Sequence, residues 1–219
     1  MFKKGDLLWL AVLCVVTGLL AVPELHRLFI RATVSHPYLM GFFKFTILAT
    51  MGELLTIRLV TGSWKKIPGI GYKALVWGLI GLSIVLMFGL FYEGVQGAIQ
   101  KGLLPGAEGF TGRFLRAFYT GSLLNLTFAP VFMAAHRISD TWIDQYVEGR
   151  KPTVAGVISQ IDWPEFMRFV VGKTIPFFWI PVQTVNFMLP AEYRIMVAAY
   201  LSIVLGLILA YARRRKIED

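Results

Sequence analysis

The sequence is poor in the residues that usually carry metal and redox chemistry. Its 219 residues include one cysteine, Cys14, and three histidines, His26, His36 and His136. A single cysteine excludes an intramolecular disulfide, a multi-thiolate metal site and a paired-thiol redox motif. The histidines are far apart in the sequence and have none of the spacings of a zinc site. The sequence therefore predicts no metal and no cofactor.

Charged residues are also scarce. Only 16% of the chain is Asp, Glu, Lys or Arg, whereas about 25% is usual in a soluble domain. Hydrophobic residues make up 56%, and the mean hydropathy is +0.64. The formal net charge of +9 comes from Lys and Arg clustered at the ends of apolar runs, as in membrane flanks. A nucleic-acid-binding face would need these charges on one surface, so the composition indicates a membrane protein without a nucleic-acid partner.

Enzyme signatures are missing as well. The chain has no Gly-x-Ser-x-Gly elbow, no phosphate-binding loop and no His-Glu-x-x-His motif. Asp140, Asp144, Asp162 and Glu165 lie in one stretch. Acidic residues four apart are nevertheless common on exposed helix faces, so this stretch is weak support for a metal or acid–base site. The sequence does not predict an enzyme.

Six apolar runs dominate the chain, and each is close to the roughly 20 residues that cross a bilayer as a helix. Backbone groups in lipid must bond within their own segment, which predicts helices, and the runs lack the alternation of barrel strands. The chain is predicted to be all-α, a single membrane domain over 1–219 with five or six spans. The runs are 7–23, 37–57, 74–98, 114–136, 166–189 and 194–212.

The first run has two interpretations. Lys3 and Lys4, followed by the apolar stretch 7–21, are typical of a cleaved signal peptide. Residues 23–30 stay fairly apolar, however, which favours a retained segment. We therefore expect an extra N-terminal helix over 7–30.

Basic residues give the predicted orientation. If the chain starts in the cytoplasm and crosses six times, 13 of its 22 Lys and Arg residues lie in cytoplasmic segments and six lie outside. The positive-inside rule then predicts that both termini are cytoplasmic. The cytoplasmic set is Lys3, Lys4, Arg58, Lys65, Lys66, Lys73, Arg137, Arg150, Lys151, Arg213, Arg214, Arg215 and Lys216.

The longest connection, 137–163, has amphipathic patterns. Ile138, Trp142 and Tyr146 recur every four residues, which predicts a short helix lying on the membrane surface. Thr153 is a candidate N-cap for a second such helix. We interpret both as interfacial packing, with docking of a partner as the alternative.

Polar residues inside the apolar runs should face a neighbouring helix or a wet cavity, because they are costly in lipid. Lys44 is expected to snorkel to an interface through its long stem. Glu53 has Arg58 as its expected partner in the same segment, and Asn125 lies within the fourth run.

The densest polar group lies in 176–194, PFFWIPVQTVNFMLPAEYR. Gln183 and Asn186 are three residues apart and share one helical face. Pro181 cannot donate to the carbonyl of Phe177, which leaves that acceptor free. This polar strip either joins two helices or lines an aqueous path, and the residues alone favour the contact between helices.

The same segment resembles the C-terminal signature of the Mpv-seventeen/peroxisomal-membrane-protein family. That family has Trp-Pro-x-x-Gln-x-x-Asn-Phe followed by a Pro and an Arg. The corresponding residues here are Trp179, Pro181, Gln183, Asn186, Phe187, Pro190 and Arg194. Shorter resemblances, which extend the likeness to about 36–212, are His36-Pro37, Gly52-Glu53, Phe91-Tyr92 and Phe128-Ala129-Pro130.

The chain also departs from the family pattern. Pro181 and Pro190 are each displaced by one position. Leu124 and Asn125 stand where the family commonly has Asp-Gln before Phe-Ala-Pro. The missing carboxylate weakens any mechanism that relies on it.

The resemblance implies a four-helix core that the extra N-terminal helix precedes. Its members lie in mitochondrial inner and peroxisomal membranes and are associated with channels or with metabolite and nucleotide homeostasis. The lack of an Arg- and Ser-rich presequence favours a relative in a bacterial plasma membrane, with an organellar membrane as the alternative. Membrane lipids are the expected surroundings, and a homo-oligomer is compatible with the sequence.

The implied function is a small channel or transporter for small solutes or metabolites, and the alternative is a non-transporting membrane scaffold that docks a partner. In the channel interpretation Gln183, Asn186 and Glu53 line a path between helices, with Arg194 near one mouth. Glu53 would favour cations, whereas Arg194 and the basic flanks would attract anions. The sequence therefore leaves charge selectivity open.

Overall fold

The computed structural model describes residues 3–64 and 67–218, without the side chains of 19, 209, 210 and 212–218. Lys65 and Lys66 of the predicted cytoplasmic set lie outside the described residues, as do the side chains of 213–216. The described chain contains helices and no strand. The helices are α1 Lys4–Ala21, α2 Pro23–Ser35, α3 Pro37–Thr61, α4 Ile70–Gln100, α5 Gly109–Leu123, α6 Ala129–Val147, α7 Val154–Ser159, α8 Trp163–Glu165, α9 Ile180–Met188 and α10 Ala191–Glu218. Two π-helical segments, Leu124–Phe128 and Phe166–Trp179, join α5 to α6 and α8 to α9.

Four described helices are long and apolar enough to cross a membrane. They are α3, α4, the continuous helix Gly109–Val147 and the part of α10 over Ala191–Ile208. α1 and α2 would add a fifth span if they count as one broken helix, although they meet at 80°. The all-α class is confirmed, and the helices fit a membrane bundle. The count of five or six spans stays a prediction. The predicted fifth run corresponds to the helix over 163–188, which is not among these four. Arg168, Lys173 and the amide side chains lower the mean hydropathy of that helix.

The outside of the bundle is apolar. On α4, Leu79, Leu86 and Leu90 are each about half exposed, at 52%, 48% and 56%. Phe177, at 80%, is one of the most exposed large side chains described. Large apolar side chains that are exposed along the helices in this way suit contact with lipid.

Small residues let α3 pack closely between α4 and α10. A Cβ added at Gly81 of α4 would lie 2.3 Å from the carbonyl oxygen of Gly41 on α3. One added at Gly206 of α10 would lie 3.0 Å from the carbonyl oxygen of Gly52. Helices in lipid gain little from hydrophobic association, so close backbone approach of this kind is what holds them together.

The N-terminal helix is tied to the bundle by specific polar contacts. Asp6 accepts hydrogen bonds from Arg58 Nε and Trp64 Nε1, both at 2.8 Å. Trp9 Nε1 donates to the carbonyl oxygen of Met51 at 3.0 Å. The start of α1 therefore lies against the end of α3. The single helix expected over 7–30 is divided into α1 and α2. The expected pairing of Arg58 with Glu53 is wrong, because Arg58 binds Asp6 across the helix interface.

Helix α2 covers the charge of Lys44. The Lys44 ammonium donates to Thr33 Oγ1 at 2.9 Å and lies 4.3 Å from the ring centre of Phe29. Lys44 is only 6% exposed. The expected snorkelling is therefore wrong, because a hydroxyl and a ring face from α2 meet the ammonium in place of water.

The 137–163 connection differs in part from its prediction. Trp142 and Tyr146 belong to α6, which continues the helix from α5 and is not a separate surface helix. They are 39% and 57% exposed. The predicted cap is present, since Thr153 Oγ1 accepts a hydrogen bond from Gly156 N at 3.2 Å at the start of α7. Val157 of α7 is fully buried, so α7 packs against the bundle.

Candidate functional site

A cavity of about 680 Å³ lies between α3, α4, α6, α9, α10 and both π segments. Its volume is within the range of small-molecule sites, roughly 300–1,000 Å³. Much of its wall is aromatic. The aromatic lining residues are Phe45, Trp77, Phe88, Phe128, Phe132, Phe166, Phe169 and Trp179.

Two amide side chains lie at the inner end of this cavity. Gln183 and Asn125 both line it and are 5% and 4% exposed. Asn125 Nδ2 donates to the carbonyl oxygen of Gly121 at 2.7 Å. Gln183 Oε1 accepts from Asn186 Nδ2 at 2.9 Å, whereas Gln183 Nε2 has no hydrogen-bond partner among the described residues. A free donor on a buried amide is a group that water or a solute would normally meet.

The opposite end of the cavity carries ionisable side chains. Glu53 of α3 lies 3.6 Å from Lys73 Nζ and accepts a 3.4 Å hydrogen bond from Trp77 Nε1. On α6, His136 Nδ1 lies 3.7 Å from Asp140 Oδ2, and the His136 ring is 4.2 Å from that of Trp77. Helices α3, α4 and α6 therefore bring these groups together from distant parts of the sequence.

Three buried polar atoms of the described cavity wall have no hydrogen-bond partner. Within the described part of the chain, His136 Nε2, Asp140 Oδ1 and Trp179 Nε1 are buried without a hydrogen bond. All three residues line the cavity. Buried polar atoms are usually paired with protein or ordered water, so these atoms mark a place for water or a ligand.

Two lining residues near the charged end reach the exterior. Arg137 and Asp162 line the cavity and are exposed. Asp162 caps the short helix α8 by accepting a hydrogen bond from Glu165 N at 2.9 Å. Glu165 is paired in turn with Arg168.

The predicted polar strip is divided between two environments. Glu53 and Gln183 line the cavity, but Asn186 and Arg194 are not among its lining residues. Asn186 is 1% exposed and donates to Gln183 Oε1 and to the carbonyl oxygen of Arg194, the latter at 3.0 Å. Asn186 therefore joins α9 to α10.

Arg194 does not lie at the cavity mouth. Its Nε donates to the carbonyl oxygen of Leu189 at 2.9 Å, and its guanidinium lies 4.4 Å from the ring centre of Tyr92. It also lies 5.5 Å from the ring centre of Phe187. The placement of Arg194 near a mouth is therefore corrected: the side chain is held on aromatic rings beyond the inner end of the cavity.

The residues of the resemblance have several structural roles. Trp179, Phe128, Ala129 and Gly52 line the cavity. Phe187 is 3% exposed and packs with its ring centre 4.9 Å from that of Phe88.

Pro130 and Pro181 each lie in the first turn of the α-helix that follows a π segment. A proline fits there because it lacks the N–H that a regular ladder would use. Pro181 and Phe177, four residues apart, are both exposed, so the backbone acceptor expected at Phe177 lies on a face away from the cavity.

Sequence reasoning missed His136, Trp77 and Lys73 as members of the site. The histidines were separated in sequence, and Asp140 and Asp144 fitted an exposed acidic face. The available signal was the spacing of His136 and Asp140, four residues apart on one helix. No group of three His, Cys, Asp or Glu side chains among the described residues is arranged to hold a metal ion.

The fold and the site define a class: an all-α helical bundle with an apolar exterior and a partly polar internal cavity. Comparisons with known proteins add nothing to that class. No model of a known family matches the chain, and neither a curated protein nor a solved structure matches it. The likeness to the Mpv-seventeen family rests on the quoted residues.

Proposed function

We propose that the protein is a small membrane channel or transporter for small solutes or metabolites. The observation that carries this proposal is the cavity of about 680 Å³ with unpartnered polar atoms in its wall. Polar groups inside a membrane bundle are costly and commonly mark a pathway for a solute or ion. A purely structural bundle would gain from filling this space with packed side chains.

The cavity favours a gated path over a continuously open pore. It meets the exterior at the end lined by Arg137 and Asp162, and its lining stops at the level of Gln183. Beyond that level, Phe187, Tyr92 and Arg194 are packed on one another. Passage of a solute would require this aromatic and guanidinium contact to open.

We also propose that both termini lie on the cytoplasmic side of the membrane, as expected for a relative in a bacterial plasma membrane, and three observations support the shared side. Asp6 at the start of α1 contacts Arg58 at the end of α3. At Gly206, helix α10 passes Thr56 of α3, so α10 runs toward the end of the bundle that holds Arg58 and the start of α1. Arg58, Lys73 and Arg137 are also at that end, in line with the positive-inside rule.

A membrane scaffold is the second candidate. Asn186 satisfies its amide donors within the bundle, which is the behaviour of a structural polar residue. Val154 and Ile158 of α7 are 65% and 40% exposed and would offer a small apolar surface to a partner. This candidate needs no solute in the cavity.

Solute flux from liposomes that contain the purified protein tests the proposal. We expect wild type to release a panel of small solutes, and Gln183→Leu to reduce that release several-fold while remaining folded. Gln100→Leu, at an exposed position near the end of α4, is the matched control and should behave as wild type. Absence of flux for every solute in the wild type would contradict transport and favour the scaffold.

A further inference from the structure

We infer that the solute is an organic cation with an apolar body, such as a protonated aryl-alkyl amine. This inference rests on the proposed function, because it names the class of molecule that the cavity accepts. It also decides between the opposite charge biases that Glu53 and Arg194 gave at the level of the sequence.

The charge of the cavity wall is the first argument. Four carboxylate side chains line the cavity, whereas Arg137 is the one Lys or Arg among the described lining residues. Arg137 is exposed at the mouth. The acidic lining residues are Glu53, Asp140, Asp162 and Glu165.

Neighbouring basic groups do not cancel this charge. Lys73 is shared, since its ammonium lies 3.6 Å from Glu53 Oε1 and 3.0 Å from Asp144 Oδ1. Arg168 is paired with Glu165. Asp140 has His136 as its nearest basic group, at 3.7 Å, and its Oδ1 is buried without a partner. An ammonium bound beside Asp140 and Glu53 would supply the missing positive charge.

The aromatic wall is the second argument. Trp77 lies between Glu53 and the helix that carries Asp140, since its Nε1 donates to Glu53 and its ring centre is 4.2 Å from that of His136 on α6. An ammonium next to this indole gains a cation–π interaction in addition to the carboxylates. Phe128 and Phe132, whose rings are 5.6 Å apart, extend the wall and suit an apolar body.

The free amide at the inner end is an independent sign of a ligand. Gln183 is 95% buried, lines the cavity and leaves Nε2 without a partner among the described residues. The site therefore has a charged end, an aromatic wall and a neutral polar end. Such an order fits a molecule with an ammonium at one end better than a uniformly hydrated inorganic ion.

The negatively charged side chains of the cavity wall disfavour an anionic solute. Arg194, the residue that was expected to attract anions, is held by the Leu189 carbonyl and the Tyr92 ring and does not line the cavity. An anion would have to enter past Asp162 and Asp140 and would be repelled by both.

Three probes with the same phenyl-ethyl body isolate the effect of charge: phenethylamine, 2-phenylethanol and phenylacetate. Binding would be measured on the full chain in nanodiscs of neutral lipid, by tryptophan fluorescence and thermal shift, with empty nanodiscs as the blank. We expect phenethylamine to bind at least about tenfold more tightly than 2-phenylethanol, since a hydrogen bond to a charged group exceeds a neutral one by about this much. Phenylacetate, which carries the opposite charge, should bind more weakly than either. Equal binding of the three probes, or preference for phenylacetate, would overturn the inference.

Substitutions of two carboxylates test where in the cavity the ammonium binds. Glu53→Gln and Asp140→Asn should each weaken phenethylamine binding about tenfold and leave 2-phenylethanol unchanged. Glu24→Gln is the matched control, because Glu24 is exposed and pairs with Arg27 outside the cavity. If Glu53→Gln does not fold, Asp140→Asn and the wild-type probe series still decide the question. Unchanged phenethylamine affinity in folded Asp140→Asn would contradict the site.

Flux of the same probes separates this inference from the proposed function. Phenethylamine binding at the site without flux would support the cation site and contradict transport. Flux that does not prefer the amine would support transport and overturn the cation inference. Preferential flux of the amine, reduced in Asp140→Asn, would support both.

Discussion

Gln183 and Asn186 are three residues apart in sequence and have different surroundings. Successive residues of an α-helix are rotated by about 100°, so a spacing of three leaves the two side chains about 60° apart around the axis. That difference turns Gln183 to the cavity and Asn186 to α10. We therefore expect one amide to affect solute passage and the other to affect stability.

Asn186→Leu should lower the free energy of unfolding by about 2–3 kcal/mol, because it removes two buried hydrogen bonds, leaving Gln183 Oε1 unpaired and losing the bond to the Arg194 carbonyl. Gln183→Leu should cost about 1 kcal/mol, since Asn186 keeps its bond to that carbonyl. Thermal unfolding in detergent measures both. Val185→Leu, at a position 63% exposed between them, is the control and should be close to neutral. A larger loss for Gln183→Leu than for Asn186→Leu would reverse these assignments.

The pair of Asp6 and Arg58 should be strongly coupled. The two side chains are 16% and 15% exposed and are joined by hydrogen bonds from Arg58 Nε and Nη2 at 2.8 and 2.9 Å. A double-mutant cycle with Asp6→Asn and Arg58→Gln is expected to give a favourable coupling energy that is clearly larger than that of an exposed ion pair. The exposed pair of Glu24 and Arg27 is the comparison and should give less than about 1 kcal/mol. Equal coupling in the two pairs would mean that α1 is not held through Asp6.

At the level of elements, contact between α3 and α4 depends on glycine. The Cβ of an alanine at Gly81 would lie 2.3 Å from the backbone oxygen of Gly41, so the two helices would have to separate. At Gly89, on the same helix, nothing lies within 4 Å of the added Cβ. The two positions differ in packing and share the same helix, which makes them a matched pair.

Gly81→Ala should lower the free energy of unfolding by about 1–3 kcal/mol through overpacking. Gly89→Ala should leave it unchanged or raise it by up to about 1 kcal/mol, because alanine is the better helix former. Thermal unfolding of both variants under one condition measures the contrast. A similar effect at both sites would show that helix propensity, and not the contact with α3, controls the outcome.

The two π-helical segments are further elements of the fold, and the sequence indicated them only indirectly. Prolines at 130, 176 and 181 indicated disturbed helices, yet the chain stays helical through all three. Hydroxyls satisfy carbonyls along the way: Thr184 donates to Ile180 O at 2.8 Å and Thr174 to Phe169 O at 3.0 Å. Both π segments line the cavity, a placement that is common for such segments at functional sites.

For the whole molecule, the cavity predicts where water reaches into the bundle. In a Cys14→Ser background, Phe132→Cys and Ser202→Cys line the cavity and should react with a water-soluble thiol reagent. Val204→Cys is exposed on the outer face of α10, toward lipid, and should react about tenfold more slowly, because lipid disfavours the thiolate. Mass spectrometry of the labelled protein measures the rates. Equal protection of all three thiols would contradict a hydrated cavity.

The same labelling tests the orientation of the molecule. If the cavity opens to the cytoplasm, a membrane-impermeant reagent should label Phe132→Cys in inverted vesicles and spare it in intact cells. The opposite pattern would reverse the predicted position of the termini. Protein unfolded in detergent supplies the reference for complete labelling.

Parts of the site could be predicted from the sequence, and parts could not. Glu53 and Gln183 stood out because polar residues are costly inside apolar runs, and both line the cavity. His136 and Trp77 gave no such signal, because each is unremarkable in its own segment. They acquire a role only where α4 and α6 meet, with ring centres 4.2 Å apart.

The sequence by itself determined that the chain is helical and that its helices suit a membrane. Both follow from local properties, since apolar runs of this length must satisfy their backbone within the segment. Only the tertiary structure decided which partner each polar side chain has: Lys73 and Trp77 for Glu53, Asp6 for Arg58, and the ring of Tyr92 for Arg194. These contacts depend on how each helix is rotated against its neighbours, and that rotation is set by close packing of small residues between helices far apart in the chain.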